Sequence, residues 1–262
     1  MILLVDVGNS RIKWVVPQEG RLGDAVQLLH TEPDWPSRLA EVWAPLSGVE
    51  RIVVSCVSGE AVRSTLAQLA RQRWGLTPEW VVAAHSGWGV RNAYAEPERL
   101  GPDRWSALVA ARSVIDGPVC VVDCGTAVTL DVLHGDGRHL GGWILPGLSM
   151  MRRALSEQTD GLSLVEARNE LAHGLGSDTA ACILQGTRAA VVGAVERGLR
   201  EAEAAIGIRP VCLLTGGDAE ALLGPLNALT MPAAPVLVPQ LVLQGLARIA
   251  GLDIGPKVGA GT

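Results

Sequence analysis

Two short stretches of the chain carry the residue types that handle phosphate. One is Asp6-Val7-Gly8-Asn9-Ser10-Arg11-Ile12-Lys13, near the start, and the other is Asp123-Cys124-Gly125-Thr126-Ala127-Val128-Thr129. Each has a β-branched apolar run ending in Asp, one spacer, Gly, a small polar residue, and a second alternating run (Ile12, Trp14, Val16; Val128, Leu130, Val132). That is strand, tight turn, strand, written twice. Gly lets main-chain N–H groups approach an anion closely, and Asn9, Ser10, Thr126 and Thr129 add short donors. An Asp at a strand end repels phosphate directly, so its natural work is to hold Mg²⁺, with water, against phosphate oxygens. Either stretch alone also describes an ordinary hairpin turn. Two copies in corresponding places point to Asp6 and Asp123 facing one nucleotide from two sides.

A third constellation is Gly101-Pro102-Asp103-Arg104, which closes a polar segment running from Val90 to Trp105 and launches a helix expected over Ser106–Val114. Two readings of Asp103 stay open. One is a first-turn carboxylate favoured by the helix dipole; the other is a general base beside a phosphate site, with Arg104 pairing an anionic substrate. Lys13 is likewise either a phosphate contact or a solvated strand position. Thr215-Gly216-Gly217-Asp218, at the end of a buried run, suits close approach of a flat ligand such as a nucleoside.

These stretches must be positioned by an alternating α/β chain. After the opening hairpin, which should run to about Leu29, helices are expected over 34–46 and 60–74 (ending at Gly75), with strands over 51–57 and 80–82. The second half repeats the plan, with strands over 119–123, 126–133 and 210–214. Helices there are expected over 149–157, 177–205, 219–223 and 239–250, with a loop up to Asn169. The pattern is that of an α/β protein with mixed sheets. At 262 residues the chain suits two domains, and 48% apolar against 19% charged residues marks a well-buried one.

A formal charge of −5 excludes a broad basic field, so no nucleic-acid partner is expected. No run of about 20 uncharged apolar residues exists for a membrane span. Asp6 follows too soon on the N-terminus for a signal-peptide core, and the expectation is a cytoplasmic protein. Five cysteines, Cys56, Cys120, Cys124, Cys182 and Cys212, without a Cys-x-x-Cys pair read as structural thiols.

Taken together, the two Asp-x-Gly hairpins and the Thr-Gly-Gly turn resemble the acetate and sugar kinase, Hsp70 and actin superfamily. Within it, Asp6-Val7-Gly8-Asn9-Ser10, Gly101-Pro102-Asp103-Arg104, Asp123-Cys124-Gly125-Thr126-Ala127 and Gly141-Gly142-Trp143-Ile144-Leu145-Pro146-Gly147 closely resemble type III pantothenate kinases. The resemblance implies two duplicated ribonuclease H-like domains of the actin-like ATPase fold with an ATP cleft between them. The halves would be 1–115, with the first phosphate hairpin and substrate loop, and 116–255, with the second hairpin, the adenosine turn and a dimer helix, followed by a tail at 256–262.

It also implies ATP-dependent phosphorylation of pantothenate to 4′-phosphopantothenate, the first step of coenzyme A biosynthesis. Matched motif by motif, Asp6, Val7, Gly8, Asn9, Ser10, Arg11, Ile12 and Lys13, with Thr126, would bind ATP, and Asp103 would accept the hydroxyl proton. Tyr94, Gly101, Pro102, Asp103, Arg104 and Thr179 would contact pantothenate, and Asp123 would bind K⁺ or NH₄⁺. Ser10 stands where many members have Thr, and Pro102 fills the variable place of the Gly-x-Asp-Arg motif. A homodimer is implied, and the helix after Ser177 offers a surface for it, with Ala180, Ala181, Ile183, Leu184, Ala189 and Ala190 leaving little polar face. Two alternatives keep parts of the pattern: an ATPase or phosphatase of the same superfamily, which has no use for Gly101–Arg104, and a non-catalytic accessory regulator of gene expression.

Overall fold

A computed structural model of the chain describes residues 1–18, 20–159, 162, 174–228 and 234–254. They form two compact units. The first takes Met1–Asp116, Gly135–Leu140 and the chain from Gln240, and the second takes Gly117–His134 and the described part of Gly141–Pro239.

The first unit is built on β1 (Ile2–Val7), β2 (Arg11–Val15), β3 (Val26–Leu29), α1 (Trp35–Trp43), β4 (Arg51–Cys56), α2 (Glu60–Trp74) and β5 (Glu79–Trp80). A ribbon of β6 (Ser86–Gly87) and β7 (Val90–Arg91) and a 3₁₀ turn at Pro97–Arg99 lead into α3 (Pro102–Val114). The sheet order is β3-β2-β1-β4-β5, with β1 antiparallel to β2 and parallel to β4. Because the central strands are covered on both faces, they read as continuous apolar runs. Leu3, Val5, Val7, Ile12 and Trp14 pack on Trp35, Leu39 and Trp43 of α1 and Leu66 and Ala70 of α2.

The second unit repeats the plan with β8 (Val119–Cys124), β9 (Ala127–Leu133), β10 (His139–Pro146, whose first two residues belong to the first unit), α4 (Leu148–Gln158), α5 (Thr179–Ile206), β11 (Val211–Thr215), α6 (Ala219–Asn227) and β12 (Val236–Leu237). Its sheet order, β10-β9-β8-β11-β12, is the order of the first sheet over again. β8 takes the place of β1, antiparallel to its hairpin partner β9 and parallel to β11. One face of this sheet, with Cys120, Val122, Val128 and Leu130, is covered by Val191, Val195, Leu199 and Ala202 of α5.

Sequence order puts the last helix, α7 (Leu241–Ile249), with residues 116–255, yet it belongs to the first unit. Its Leu243, Leu246 and Ala247 cover Leu4, Val15 and Val53, the face of the first sheet that α1 and α2 leave open. A strand also appears where none was expected, β10 over the Gly141–Pro146 motif, and other differences are local. α3 begins at Pro102 rather than Ser106, since Gly101 is its N-cap and Pro102 is pre-set for the first turn. β5 is shorter than expected, and β12, two residues long, has too little pattern to be read from sequence. The expected loop up to Asn169 and the tail at 256–262 lie outside the described residues.

All five cysteines are free thiols, four of them buried and Cys182 exposed. Burial pushes the Cys212 thiol up to about 12, and it raises Cys120 and Cys124 as well. Among the described residues no helix is long and apolar enough to cross a membrane.

Candidate active site

In the first unit the apolar run of β1 ends at Asp6 and Val7, and the chain reverses through Gly8, Asn9 and Ser10 into β2. The antiparallel register sets Asp6 opposite Lys13, and the parallel register sets it beside Ser55 of β4. Residues opposed in register project to one face, so a carboxylate, an ammonium and a hydroxyl share one patch at the strand ends. Val7 and Ile12 are fully buried in the core, so they can meet a ligand only through their main chain. Asn9 and Arg11 are exposed at the turn.

The same unit holds Asp103 in the first turn of α3. Its Oδ1 accepts the Arg104 N–H at 2.7 Å and lies over Gly101, where a Cβ would sit 2.5 Å from that oxygen. The glycine of the motif therefore makes room for the carboxylate. Arg104 is 7% exposed. It donates Nη1–H to the Tyr94 hydroxyl at 2.9 Å, and its guanidinium carbon lies 5.8 Å from the Tyr94 ring centre. Tyr94 in turn stacks on His139, ring centres 6.2 Å apart and planes within 15°.

The Tyr94 main chain is set by Asn92, whose Oδ1 accepts the Tyr94 N–H at 3.0 Å. The Asn92 amide donates to the carbonyls of Ala84 and Pro97 at 3.3 and 3.1 Å. The structure thus brings Tyr94, Gly101, Asp103 and Arg104 together and adds Asn92 and His139, which the sequence reading missed. Asn92, two residues before Tyr94 in a polar segment, left a faint signal; His139 left none.

In the second unit Asp123 closes β8, in register with Thr129 of β9 and Thr215 of β11. The turn after it is enclosed by main chain. A Cβ on Gly147 would lie 2.1 Å from the Gly125 carbonyl oxygen, and one on Gly216, whose φ is +95°, would lie 2.4 Å from both Asp123 Oδ1 and the Cys124 carbonyl oxygen. Gly147 N–H donates to the Thr126 carbonyl at 3.0 Å, and Asp218 N–H donates to that of Cys124 at 2.9 Å. The Pro146-Gly147 motif and the Thr215-Gly216-Gly217 turn are therefore packed against the second hairpin, while Thr126 itself is exposed.

Thr179, also exposed, opens α5 behind Asp178, whose Oδ1 accepts the Ala181 N–H at 2.8 Å. Arg152 of α4 is a buried residue that the sequence did not single out. Its Nε–H donates to Thr187 Oγ1 at 3.4 Å. Burial lowers its pKa, nearby Asp218 raises it, and Arg188 lowers it.

Two units with one strand order, each ending its central strand in an Asp-x-Gly hairpin, define an actin-like ATPase fold. Solved structures agree at the level of fold. A protein from Campylobacter jejuni assigned to the Baf family of transcriptional activators superposes with a TM-score of 0.60 at 18% identity, over 95% of this chain and 97% of that one. An inorganic polyphosphate/ATP-glucomannokinase from an Arthrobacter species superposes with a TM-score of 0.50 at 15% identity, over 96% and 98%.

Sequence comparison is narrower. The family model of type III pantothenate kinases matches residues 2–201. The type III pantothenate kinase of Nitrosococcus oceani is 39% identical over 261 residues, 95% of this chain and 94% of the relative. The chain belongs to the type III pantothenate kinase family.

Proposed function

We propose that this chain transfers the γ-phosphoryl group of ATP to the primary hydroxyl of pantothenate, giving 4′-phosphopantothenate in the first step of coenzyme A biosynthesis. Beyond family membership, one observation supports the site assignment: Asp103 lies in the first turn of α3 over Gly101, beside the Arg104–Tyr94–His139 stack. In phosphoryl transfer, positioning and charge neutralisation supply most of the acceleration. Asp103 accepts the hydroxyl proton as the phosphoryl group arrives, a role worth about 10²- to 10⁴-fold. Arg104, already oriented by Tyr94, pairs the carboxylate of pantothenate, and Tyr94, Pro102 and Thr179 line the substrate. The turn from Asp6 to Lys13, with Thr126, holds the ATP phosphates.

The donor set fits Mg²⁺ arriving with ATP. Among the described residues no group of three or more His, Cys, Asp or Glu side chains could cage a metal, and Mg²⁺ needs only one or two carboxylates beside phosphate and water oxygens. Asp6 is that carboxylate, and the bound ion would neutralise charge on the phosphate oxygens. Asp123, with Thr129 and Thr215 level on the neighbouring strands, offers the hard oxygen donors that suit K⁺ or NH₄⁺.

The working unit in this reading is a cytoplasmic homodimer. Ile183, Thr187 and Val191 of α5 are buried in their own unit, while Cys182, Gly186, Ala189, Ala190 and Gly193 are exposed, a face of small residues able to meet a second copy. Thr179, at the start of that helix, then reaches the partner's substrate.

A coupled ATP-consumption assay with and without pantothenate tests the reaction. Consumption that pantothenate stimulates is expected, and pantothenate-independent hydrolysis or none would overturn the reading. Mixing an Asp103→Asn protein with a Thr179→Ala protein tests the shared site. Regained activity in verified heterodimers is expected; a monomeric mass by light scattering, or no recovery, would remove it.

A further inference from the structure

The turn of the first hairpin is tied back into its unit by groups that lie outside the Asp6–Lys13 stretch. Gly8 N–H donates to the Arg11 carbonyl at 3.0 Å, closing the hairpin. The Gly8 carbonyl instead accepts from two side chains: Ser58 Oγ–H at 2.6 Å and His30 Nε2–H at 2.8 Å, with Ser58 Oγ and His30 Nε2 themselves 3.4 Å apart. Since a carbonyl only accepts, the His30 proton must sit on Nε2. The His30 main chain secures the other side of the turn, its N–H donating to the Ser10 carbonyl at 3.1 Å, and Val57 N–H holds the Val7 carbonyl at 3.0 Å. The imidazole is set in turn by Trp35, edge to face, with ring centres 6.1 Å apart.

A trans peptide is planar, with its C=O and the following N–H pointing in opposite directions. Fixing the Gly8 carbonyl inward on His30 and Ser58 therefore fixes the Asn9 N–H outward, at the tip of the hairpin where the chain is exposed. An outward N–H held in advance costs no reordering when an anion arrives, which is the source of tight binding by preorganised donors. We propose that His30 and Ser58 are positioning residues for ATP, a clamp on the Gly8 carbonyl that aims the Asn9 N–H at the nucleotide phosphates. The proposal rests on the reading of this hairpin as the ATP phosphate site and extends it to two residues far from the motif in sequence.

The test compares His30→Phe, which keeps an aromatic edge for Trp35 but has no donor, with His30→Gln, which returns an N–H, and with Ser58→Ala; Asp6→Asn serves as reference. Loss of one hydrogen bond should raise the KM for ATP by about three- to tenfold in His30→Phe and in Ser58→Ala. The KM for pantothenate and the melting temperature should stay near the parent values, and His30→Gln should recover most of the loss. A purely structural role for His30 would lower the melting temperature and would not separate the two KM values. If Asp6→Asn impairs ATP use while His30→Phe and Ser58→Ala leave the KM for ATP unchanged, the clamp is overturned and the hairpin reading stands. If Asp6→Asn is also without effect, the hairpin is not the phosphate site and both ideas fall.

Discussion

In the first hairpin the turn carbonyl of Gly8 is held by two side chains, His30 and Ser58. In the second, the turn around Gly125 and Thr126 is wedged by main chain, with Gly147 and Gly216 so close that neither could carry a Cβ. The sheets beneath have the same strand order, and both hairpins follow a central strand that ends in Asp. The shared plan therefore fixes where the Asp-x-Gly turn forms, and the surroundings decide how it is held. Side chains acting from a distance can be replaced one at a time at modest cost. In the second turn the lack of slack lies at Gly147 and Gly216, where a methyl group must displace main chain, whereas one on Gly125 itself would meet the Ala127 carbonyl oxygen only at 3.5 Å. The units differ in chemistry too, since Asp103, Arg104, Tyr94 and His139 all lie in the first. These contrasts can be broken at four points.

The largest effect should come from Asp103, the carboxylate proposed as general base. Asp103→Asn is expected to lower turnover by about 10²- to 10⁴-fold. The amide fits the same space over Gly101 and can still accept the Arg104 N–H, so the melting temperature and ATP binding should barely change. Wild-type turnover in this variant would reduce Asp103 to a helix-start residue and remove the chemical asymmetry between the units.

Next come the glycines of the second unit. Gly216→Ala combines a left-handed φ with overlap on Asp123 Oδ1 and the Cys124 carbonyl. Strain of that kind together with overpacking should cost about 2–5 kcal/mol of stability. Gly147→Ala, whose Cβ would meet the Gly125 and Thr126 carbonyls, should lie at the lower end of that range. Denaturant unfolding measures both. Variants as stable as the parent would mean that the second turn is no more tightly enclosed than the first.

How legible these features were in the sequence follows from the same contrast. Both hairpins and the repetition of the plan in the two halves could be read because β-branched runs ending in Asp-x-Gly report themselves locally, and Gly101–Arg104 announced a helix start; the order of strands within each sheet depends on parallel pairings between distant segments and was not readable. Gly216 was legible as a close approach, though to a flat ligand; that it also meets Asp123 depends on β11 lying beside β8. His139 could not be found, because its value comes from the fold laying β10's first residue on Tyr94, and a lone His in sequence has no such address. His30 and Ser58 were invisible for the same reason, one lying just past β3 and the other in an ordinary Ser-Gly turn. α7 was assigned by chain order, whereas burial of its Leu243, Leu246 and Ala247 put it in the other unit.

A smaller effect is expected from the ions. If Asp123, with Thr129 and Thr215, holds a monovalent cation while Asp6 works through Mg²⁺, the two hairpins differ in ion as well as in anchoring. Replacing K⁺ by Na⁺ at constant ionic strength should then lower activity by roughly tenfold, about 1.4 kcal/mol, because the same oxygens must close on a smaller ion. Asp123→Asn should make activity in K⁺ resemble activity in Na⁺. Equal rates in the two salts would leave Asp123 a hairpin residue or a second Mg²⁺ contact.

The smallest effect on stability should fall at Gly8, the counterpart in the first hairpin of the glycine in Asp123-Cys124-Gly125. Its φ lies outside the left-handed region, and a Cβ there would meet nothing closer than the Arg11 carbonyl oxygen at 3.6 Å, an ordinary van der Waals contact. Nothing among the described residues requires glycine at this position. Gly8→Ala should leave unfolding free energy within about 1 kcal/mol of the parent, with a slight gain allowed by the lower entropy of the unfolded chain. If the glycine instead serves a phosphate that approaches the main chain, the same variant should raise the KM for ATP several-fold while the KM for pantothenate holds. Stability and nucleotide affinity thus separate at Gly8. Unfolding of Gly8→Ala as early as Gly216→Ala would show that the first turn is enclosed like the second, and an unchanged KM for ATP would show that no phosphate comes close to it.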